Sequence, residues 1–427
     1  MDGGERQEKT VRRSRRTAGV SPEAWKLLGI AILNAVIGYS SSTGEIRAMR
    51  PSLKTKIALI SNGIDFDIDM FSASSQRYYE NTYGYCITNR NVKREHRIPQ
   101  VLRLGDNLVV SVLRREGSPW RLRFDGERLA LYYLDEYRQD VELPEALPFF
   151  GKTLKDGART DDVISAYGAV TPGFFLYPDC HYFDKGKPCG FCSLRKARRT
   201  VGKPLVTEFS RERVMETTRI IQNSGWTIPM ITNTCGTPPD DEGTRRAILE
   251  PLQAIRDARE PGIRMHVLAH PPNDFRLIDE YKAAGVTSIA FNLEVYGRED
   301  FARVCPGKDQ HYGYDRWWDA LDYAKEVFGE YEVYCGLVWG VEPIQSSMEG
   351  MEAILSRGIG LATNVFHADP GSVMAKHPQP SEADITALAE WEAKLYRKYP
   401  KARTIYDVSM RNTIDWEIHN HYMESAS

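Results

Sequence analysis

The chain has 427 residues, of which 42% are hydrophobic and 11% aromatic, so it can bury a large core as two or three domains or as one barrel with additions. A net charge of −2 gives the protein no general attraction to nucleic acid, which is not expected as a partner. The seven cysteines, an odd number, argue against a disulfide framework and favour a reducing, cytoplasmic location.

The N-terminal third combines a basic tail with a β-rich region. Residues 1–20 contain the run KTVRRSRR and are predicted to form a disordered tail. Ser21 as N-cap and Pro22 in the first turn predict a helix whose apolar run is too short to span a bilayer, so no membrane association is expected. From residue 53 to 147 the hydrophobic spacing is close to two, which predicts antiparallel strands, one of them over KIALIS at residues 56–61. Residues 21–150 are therefore predicted to be an N-terminal helix followed by a β-rich domain.

Strands and helices alternate over residues 165–400. The predicted strands are 174–176, 228–232, 264–269, 288–293, 331–338 and 360–366, and the predicted helices are 210–223, 242–258, 274–284, 314–328, 346–357 and 381–398. This pattern predicts the α/β class, with a parallel sheet that is either doubly wound or a partial barrel. In both architectures ligands bind at the carboxyl ends of the strands. Residues 401–427 are interpreted as a C-terminal extension.

Three cysteines, Cys180, Cys189 and Cys192, follow the carboxyl end of the first of these strands. Three thiolates can hold three irons of a [4Fe-4S] cube and leave the fourth iron open to a small molecule. The same cysteines with His181 or His270 also fit a Cys3His zinc site in a non-catalytic binding module. The cysteines alone leave both interpretations open.

The segment FFLYPDCHYFDKGKPCGFCSL, with Phe191 between the last two cysteines, resembles the radical S-adenosylmethionine (radical SAM) superfamily, in the style of its biotin synthase and lipoyl synthase branch. The usual spacing is C-x3-C-x2-C, whereas eight residues separate the first two cysteines here. Four later strand ends are also similar to that branch. They are TNTCGTP at 232–238, Asn-Leu-Glu at 292–294 with the arginines that follow, GLVWGVE at 336–342 and Pro-Gly-Ser at 370–372.

The resemblance implies a partial (β/α)6 TIM-like barrel that holds a [4Fe-4S] cluster and S-adenosylmethionine (SAM). It implies that an electron from a flavodoxin- or ferredoxin-type reductant cleaves SAM to a 5'-deoxyadenosyl radical. That radical would take hydrogen from a small organic substrate, in a rearrangement or cyclisation of cofactor or natural-product biosynthesis. The implied cluster ligands are Cys180, Cys189 and Cys192. The residues implied to bind SAM are Phe191, Thr234, Cys235, Gly236, Thr237, Asn292, Glu294, Arg298, Arg303, Val338 and Gly340.

Two further sets of residues are candidates for chemistry. Tyr296, Cys305 and His367 follow strand ends and are candidates to relay a proton or an electron. Cys235 and Cys335, with His266 on the strand between them, are candidate ligands of a second cluster, which would make radical sulfur insertion the alternative reaction. Buried cysteines are more often small hydrophobes, so a single cluster is predicted.

Overall fold

The computed structural model describes residues 49–71, 98–125, 128–168, 170–196 and 209–423. The predicted basic tail and the helix expected to begin at Ser21 lie outside these residues. No helix within them is long and apolar enough to cross a membrane.

The strands are β1 (Val101–Arg103), β2 (Val109–Ser111), β3 (Trp120–Asp125), β4 (Arg128–Tyr133), β5 (Glu136–Asp140), β6 (Ile164–Tyr167), β7 (Thr171–Cys180), β8 (Met230–Thr237), β9 (Arg264–Leu268), β10 (Ser288–Ala290), β11 (Val333–Trp339) and β12 (Gly360–Val365). The α-helices are α1 (Pro51–Asn62), α2 (Arg211–Gln222), α3 (Asp241–Thr244), α4 (Glu250–Ala258), α5 (Arg276–Ala283), α6 (Arg298–Val304), α7 (Pro306–His311), α8 (Tyr314–Phe328), α9 (Ile344–Ser356), α10 (Glu382–Lys398) and α11 (Asp415–His419). A π-helical turn, Arg245–Leu249, joins α3 to α4.

The main sheet is a partial barrel. Its strand order is β12-β11-β10-β9-β8-β7-β6, so each strand pairs with its sequence neighbours, and β7 to β12 are all parallel. Neighbouring helices contact one another, α2 with α4, α5 with α8, and α9 with α10. A doubly wound sheet reverses its strand order at a switch point, and this sheet does not. The prediction of a TIM-like partial barrel is confirmed. The sequence had not predicted β6, which pairs antiparallel with β7 at the edge.

The strand predicted over residues 56–61 is wrong, because these residues belong to α1. Pro51 occupies the first turn of this helix, where its missing N–H costs nothing. Leu53, Ile57 and Ile60 recur at helical spacing and are all buried. A short apolar run fits a strand and a buried helix equally well, which explains the error. The predicted β-rich character holds for the described residues between 101 and 140. There β1 pairs with β2, while β3, β4 and β5 form a second antiparallel sheet.

The C-terminal part of the chain packs against α1 and the barrel. The backbone N–H of Val365 in β12 donates to the carbonyl of Asn412 at 2.9 Å, and the N–H of Ser111 donates to the carbonyl of Arg411 at 3.2 Å. Buried side chains from both sides of residue 150 form one hydrophobic core. The domain boundaries drawn from the sequence stay a prediction.

Candidate active site

The eight residues between Cys180 and Cys189 fold into a compact turn. Cys180 is the last residue of β7, and the insertion begins as a 3-10 turn directly after it. Arg195, downstream of the third cysteine, reaches back to the carboxylates of Asp179 and Asp184, with contacts of 2.9 and 2.6 Å. These ion pairs hold the start, the middle and the end of the cysteine loop together, so the long gap is compatible with one ligand set.

The three thiols are near enough to affect one another's ionisation. Burial raises the pKa of Cys192, and the thiols of Cys189 and Cys180 raise it further. Burial also raises the pKa of Cys180, against a hydrogen bond from the Thr237 side chain. Among the described residues, no three His, Cys, Asp or Glu side chains are grouped as ligands of a single metal ion.

Cys189 has a fourth thiol as its neighbour. A hydrogen bond with Cys305 lowers the pKa of Cys189. Burial acts in the opposite direction, and the charge of nearby Lys308 lowers this pKa further. The pKa of Cys305 is raised well above its usual value by burial and then by Cys189. Cys305, a predicted relay residue, is therefore placed directly against a predicted cluster ligand.

Glu294 lies in the segment that follows β10, and its carboxylate pairs with Lys308. The Lys308 Nζ donates to Oε1 of Glu294 at 3.1 Å and to the carbonyl of Asn292 at 2.7 Å. Burial alone would lower the pKa of Lys308, but Glu294, Cys189 and Cys305 overcome it and raise that pKa. The sequence analysis missed Lys308, although a carboxylate at the end of an apolar strand needs a buried cation.

A cavity of about 420 Å³ lies inside the barrel next to the cysteine loop. The predicted site residues that line it are Phe191, Cys192, Thr234, Asn292, Glu294, Val338 and His367. These side chains come from the cysteine loop and from strands β8, β11 and the segments after β10 and β12. The structure therefore brings together most of the strand ends that carried the resemblance.

Gly236 allows β7 and β8 to approach closely beside the first cysteine. A Cβ atom on Gly236 would lie 1.7 Å from the carbonyl oxygen of Asp179, so no other residue fits without a shift of the backbone. In the same register Cys180 is opposite Thr237. The turn predicted to hold the methionine end of SAM is thus built against the cysteine loop.

Arg298 and Arg303 are placed away from the cavity, although both were predicted at the polar ends of SAM. Arg298 pairs with Asp315, and its side chain is 61% exposed. Arg303 pairs with Asp300 and donates to the carbonyl of Val341 at 3.1 Å. Helix α6 turns both side chains to the protein surface, and the cation beside Glu294 is Lys308 instead.

Tyr296 and Gly340 also lie outside the cavity lining. The N–H of Tyr296 donates to Glu342, and its carbonyl accepts from the hydroxyl of Tyr314 at 2.6 Å. Gly340 has a φ of 97°, and a Cβ there would lie 2.1 Å from the ring of Pro380. Both residues shape the loops at the strand ends rather than facing the cavity.

His367 connects the end of β12 to the cysteine loop. Its Nδ1 lies 3.0 Å from Oδ1 of Asp369, and the other oxygen of Asp369 accepts from the Ser193 hydroxyl at 2.7 Å. Ser193 follows the third cysteine directly. His367, Asp369 and Ser193 all line the cavity, so this network fixes one wall of it.

The three candidates for a second cluster are on different faces of the sheet. Cys235 accepts a hydrogen bond from the backbone of Tyr177 and influences the pKa of Tyr281 on α5, which places it on the helix side. The Cys335 Sγ accepts from the N–H of Leu293 at 3.4 Å. Neither thiol lines the cavity, whereas His266 does, with its Nδ1 2.8 Å from the hydroxyl of Ser288.

Both ring nitrogens of His270, a candidate zinc ligand, are occupied. Nδ1 lies 2.6 Å from the carbonyl of Pro271, and Nε2 lies 2.9 Å from the hydroxyl of Tyr182. Burial lowers the pKa of His270 to about 3, and Lys308 lowers it further. The zinc interpretation therefore loses one of its two candidate histidines.

Part of the cavity lining comes from residues 404–416, here called the C-terminal wall. Within it, the ring of Tyr406 stacks on Tyr167 of β6, with centroids 6.0 Å apart, and contacts His266 edge-on. The sequence analysis missed the wall because these residues carry no strand-end motif and were interpreted as an extension.

Comparison with known proteins gives one curated relative and several structural ones. The chain is 24% identical over 309 residues to the bacteriochlorophyllide c C-7(1)-hydroxylase of Chlorobaculum limnaeum. The aligned region covers 69% of this chain and 77% of the hydroxylase. The FeFe-hydrogenase maturase HydG from Carboxydothermus hydrogenoformans has a TM-score of 0.45 and 17% identity over 60% of this chain and 57% of its own, less than two thirds of its length. A radical SAM methyltransferase from Sphaerobacter thermophilus has a TM-score of 0.40 and 14% identity over 67% and 76% of the two chains. No family model matches.

The cysteine motif and the partial barrel that carries it resemble the radical SAM superfamily. This resemblance implies an enzyme whose cofactors are a [4Fe-4S] cluster and S-adenosylmethionine. The site fits these cofactors, because three mutually interacting thiols lie on one loop and one of them, Cys192, lines a cavity that also contains polar groups from neighbouring strand ends.

Proposed function

We propose that this protein is a radical SAM enzyme that abstracts a hydrogen atom from a small organic substrate inside the barrel cavity. The single observation that carries the proposal is that one cavity is lined both by Cys192 of the cysteine loop and by residues of the C-terminal wall. A substrate held by the wall would therefore face the cofactors directly. The bound cofactors supply the electron and the adenosyl group that removes the hydrogen atom.

The residues of the chain bind, orient and exclude water. In this proposal Cys180, Cys189 and Cys192 hold the cluster, and Phe191, Thr234, Asn292 and Val338 contact SAM from the cavity walls. Glu294, charged and paired with Lys308, accepts hydrogen bonds from the amino or hydroxyl groups of SAM. The aromatic side chains of the cavity keep bulk water from a reactive intermediate.

The proposal is tested by reductive SAM cleavage in cysteine variants. Cys180→Ala, Cys189→Ala and Cys192→Ala are each expected to abolish 5'-deoxyadenosine formation under dithionite, because two thiolates no longer define one cluster with one open iron. Cys335→Ala is the matched control, since this thiol is buried away from the cavity. Formation of 5'-deoxyadenosine at the parental rate by Cys180→Ala would show that the long-gap motif is misassigned.

Hydroxylation is a second candidate for the final reaction, favoured by the similarity to a hydroxylase over 69% of the chain. With water as the oxygen donor the reaction balances without a further oxidant. In the net reaction the substrate C–H bond would give two electrons and a proton to the adenosyl carbon of SAM, whose C–S bond would break and release methionine. Water would form the new C–O bond and release one proton, and the electron that started the cleavage would return to the cluster. Incorporation of oxygen-18 from labelled water into the product would distinguish hydroxylation from rearrangement or cyclisation, neither of which adds oxygen.

Sulfur insertion receives less support, because Cys235 and Cys335 do not share a face with His266. We include in the proposal a one-electron reductant of flavodoxin or ferredoxin type and a cytoplasmic location. Reduction of the cluster by purified flavodoxin and its reductase in place of dithionite would test the first of these.

A further inference from the structure

The C-terminal wall contains an arginine that lines the cavity without a partner of opposite charge. Arg411 is partly buried, and its backbone carbonyl accepts a hydrogen bond from Ser111. Within the described ranges the guanidinium forms no ion pair and no side-chain hydrogen bond. It is near enough to Tyr406 for its positive charge to lower the pKa of that hydroxyl. A guanidinium held inside a cavity retains five donors that a ligand can use.

The other charged groups of the cavity are already engaged. Glu294 pairs with Lys308, Asp369 accepts from Ser193 and His367, and Asp415 accepts from the N–H of Thr363 at 2.9 Å. Among the described residues that line the cavity, Arg411 is therefore the charged one whose hydrogen-bonding groups remain available. An oxyanion that enters the cavity meets its complementary charge at the wall.

The surroundings of Arg411 limit what kind of anion fits. Aromatic and apolar side chains line the same part of the cavity, namely Tyr167, Phe175, Phe366, Tyr406, Val408, Met410 and Trp416. Such a pocket binds an apolar body, while one or two polar groups fix its orientation. A single guanidinium fork matches one carboxylate in a bidentate pair and balances its one charge. A phosphate would carry nearly twice that charge at neutral pH.

We infer that Arg411 binds the carboxylate of the substrate and thereby orients an apolar body within the cavity that Cys192 also lines. This inference rests on the proposed function, since it defines the substrate class of the same site. Arg411 acts as a specificity-determining residue: it selects small organic acids, and the apolar part of such an acid is the part presented for hydrogen abstraction.

The test measures binding and needs no turnover. The probes are 3-phenylpropionate and its uncharged amide, titrated by ligand-detected NMR against the cluster-loaded enzyme saturated with SAM and kept without reductant. The acid is expected to bind about tenfold more tightly than the amide, as one charged hydrogen-bonded pair provides. Arg411→Gln should reduce this ratio to about one, and Arg411→Lys, which keeps the charge without the fork, should give an intermediate ratio.

Arg403→Gln is the matched control, because Arg403 lies in the same C-terminal region but is 55% exposed and 3.8 Å from Glu332. The inference is overturned if the parent shows no preference for the acid or if Arg411→Gln retains that preference. It is also overturned if Arg411→Gln weakens SAM binding as much as acid binding, since the arginine would then serve the cofactor. Arg411-dependent binding of phenyl phosphate that is tighter than that of the acid would replace the carboxylate by a phosphate. Because no reductant is present, failure here leaves the cysteine test of the proposed function untouched.

Discussion

The Nζ of Lys56 lies 2.5 Å from Oε1 of Glu417, and both side chains are fully buried. The same ammonium donates to the carbonyl of Met410 and, at 3.1 Å, to the hydroxyl of Ser409. Burial lowers the pKa of Lys56, while Glu417 opposes that shift by favouring the charged form. The pair joins α1 to Glu417, directly after the C-terminal wall, and Lys56 also reaches Ser409 and Met410 within the wall.

Lys56→Met should destabilise the protein by about 3–5 kcal/mol, because it leaves the Glu417 carboxylate buried without its cation. Urea unfolding followed by circular dichroism measures the loss. Lys398→Met is the matched control, since Lys398 pairs with Glu352 on the surface with 58% and 36% of the side chains exposed. The control should lose no more than about 1 kcal/mol. Equal losses in the two variants would contradict a special contribution from the buried pair.

Gly236→Ala should disturb the β7–β8 pairing beside Cys180, because the added methyl group would meet the carbonyl of Asp179. We expect destabilisation of roughly 1–3 kcal/mol, as for other overpacked sites, together with a lower iron content after cluster reconstitution. Gly105→Ala is the control, since a Cβ there has no atom within 4 Å. Iron analysis and thermal unfolding measure both effects, and full iron content in Gly236→Ala would contradict the close approach.

Glu294→Gln should weaken SAM binding by about 10- to 100-fold while iron content is retained, because a charge-assisted hydrogen bond becomes a neutral one. Calorimetric titration with SAM measures this. Glu342→Gln is the matched control. Glu342 is buried, but its carboxylate accepts from the backbone of Tyr296 and Gly297 rather than facing the cavity. If both variants bind SAM as the parent does, Glu294 has only the structural function of pairing with Lys308.

Asp415 should make stability fall as the pH rises from about 4 to 6. Burial raises its pKa from 3.8 to about 6, with a further contribution from Glu417 that acts against hydrogen bonds from Thr363. The folded protein therefore holds this proton more tightly than the unfolded chain. The stabilisation that is present below pH 3.8 is lost as the pH rises to the folded-state pKa of about 6. In Asp415→Asn this dependence should disappear, so the parent should lose roughly 3 kcal/mol relative to the variant between pH 4 and 7. Urea unfolding at several pH values measures the difference, and parallel curves would refute it.

Local patterns predicted much of the barrel. Helix α8 has the predicted bounds, and Ser210 and Ser381, the first residues of two predicted helices, are the N-caps of α2 and α10. The cysteine loop lies at the strand end that the alternation of elements indicated. These features depend on residues only a few positions apart, which periodicity and capping patterns can detect.

The parts of the site that were missed depend on contacts between distant segments. Lys308 reaches Glu294 only because α6 and α7 turn the chain back over β10, and the same turn carries Arg298 and Arg303 to the surface. Ser409 of the C-terminal wall contacts Lys56, which lies 353 residues earlier in the sequence. No local pattern contains such information, so proximity in sequence was a poor guide to proximity in the site.

Two different stretches of polypeptide line the cavity. The cysteine loop and the strand ends provide one part of the lining, and the short run from residue 404 to 416 provides another. Exchange of that run between related chains would change what is bound while the thiols and the strands stay as they are. Under the proposed function, substrate selectivity lies in a run of residues separate in sequence from the cysteines, so a related chain can change its substrate without changing its cluster ligands.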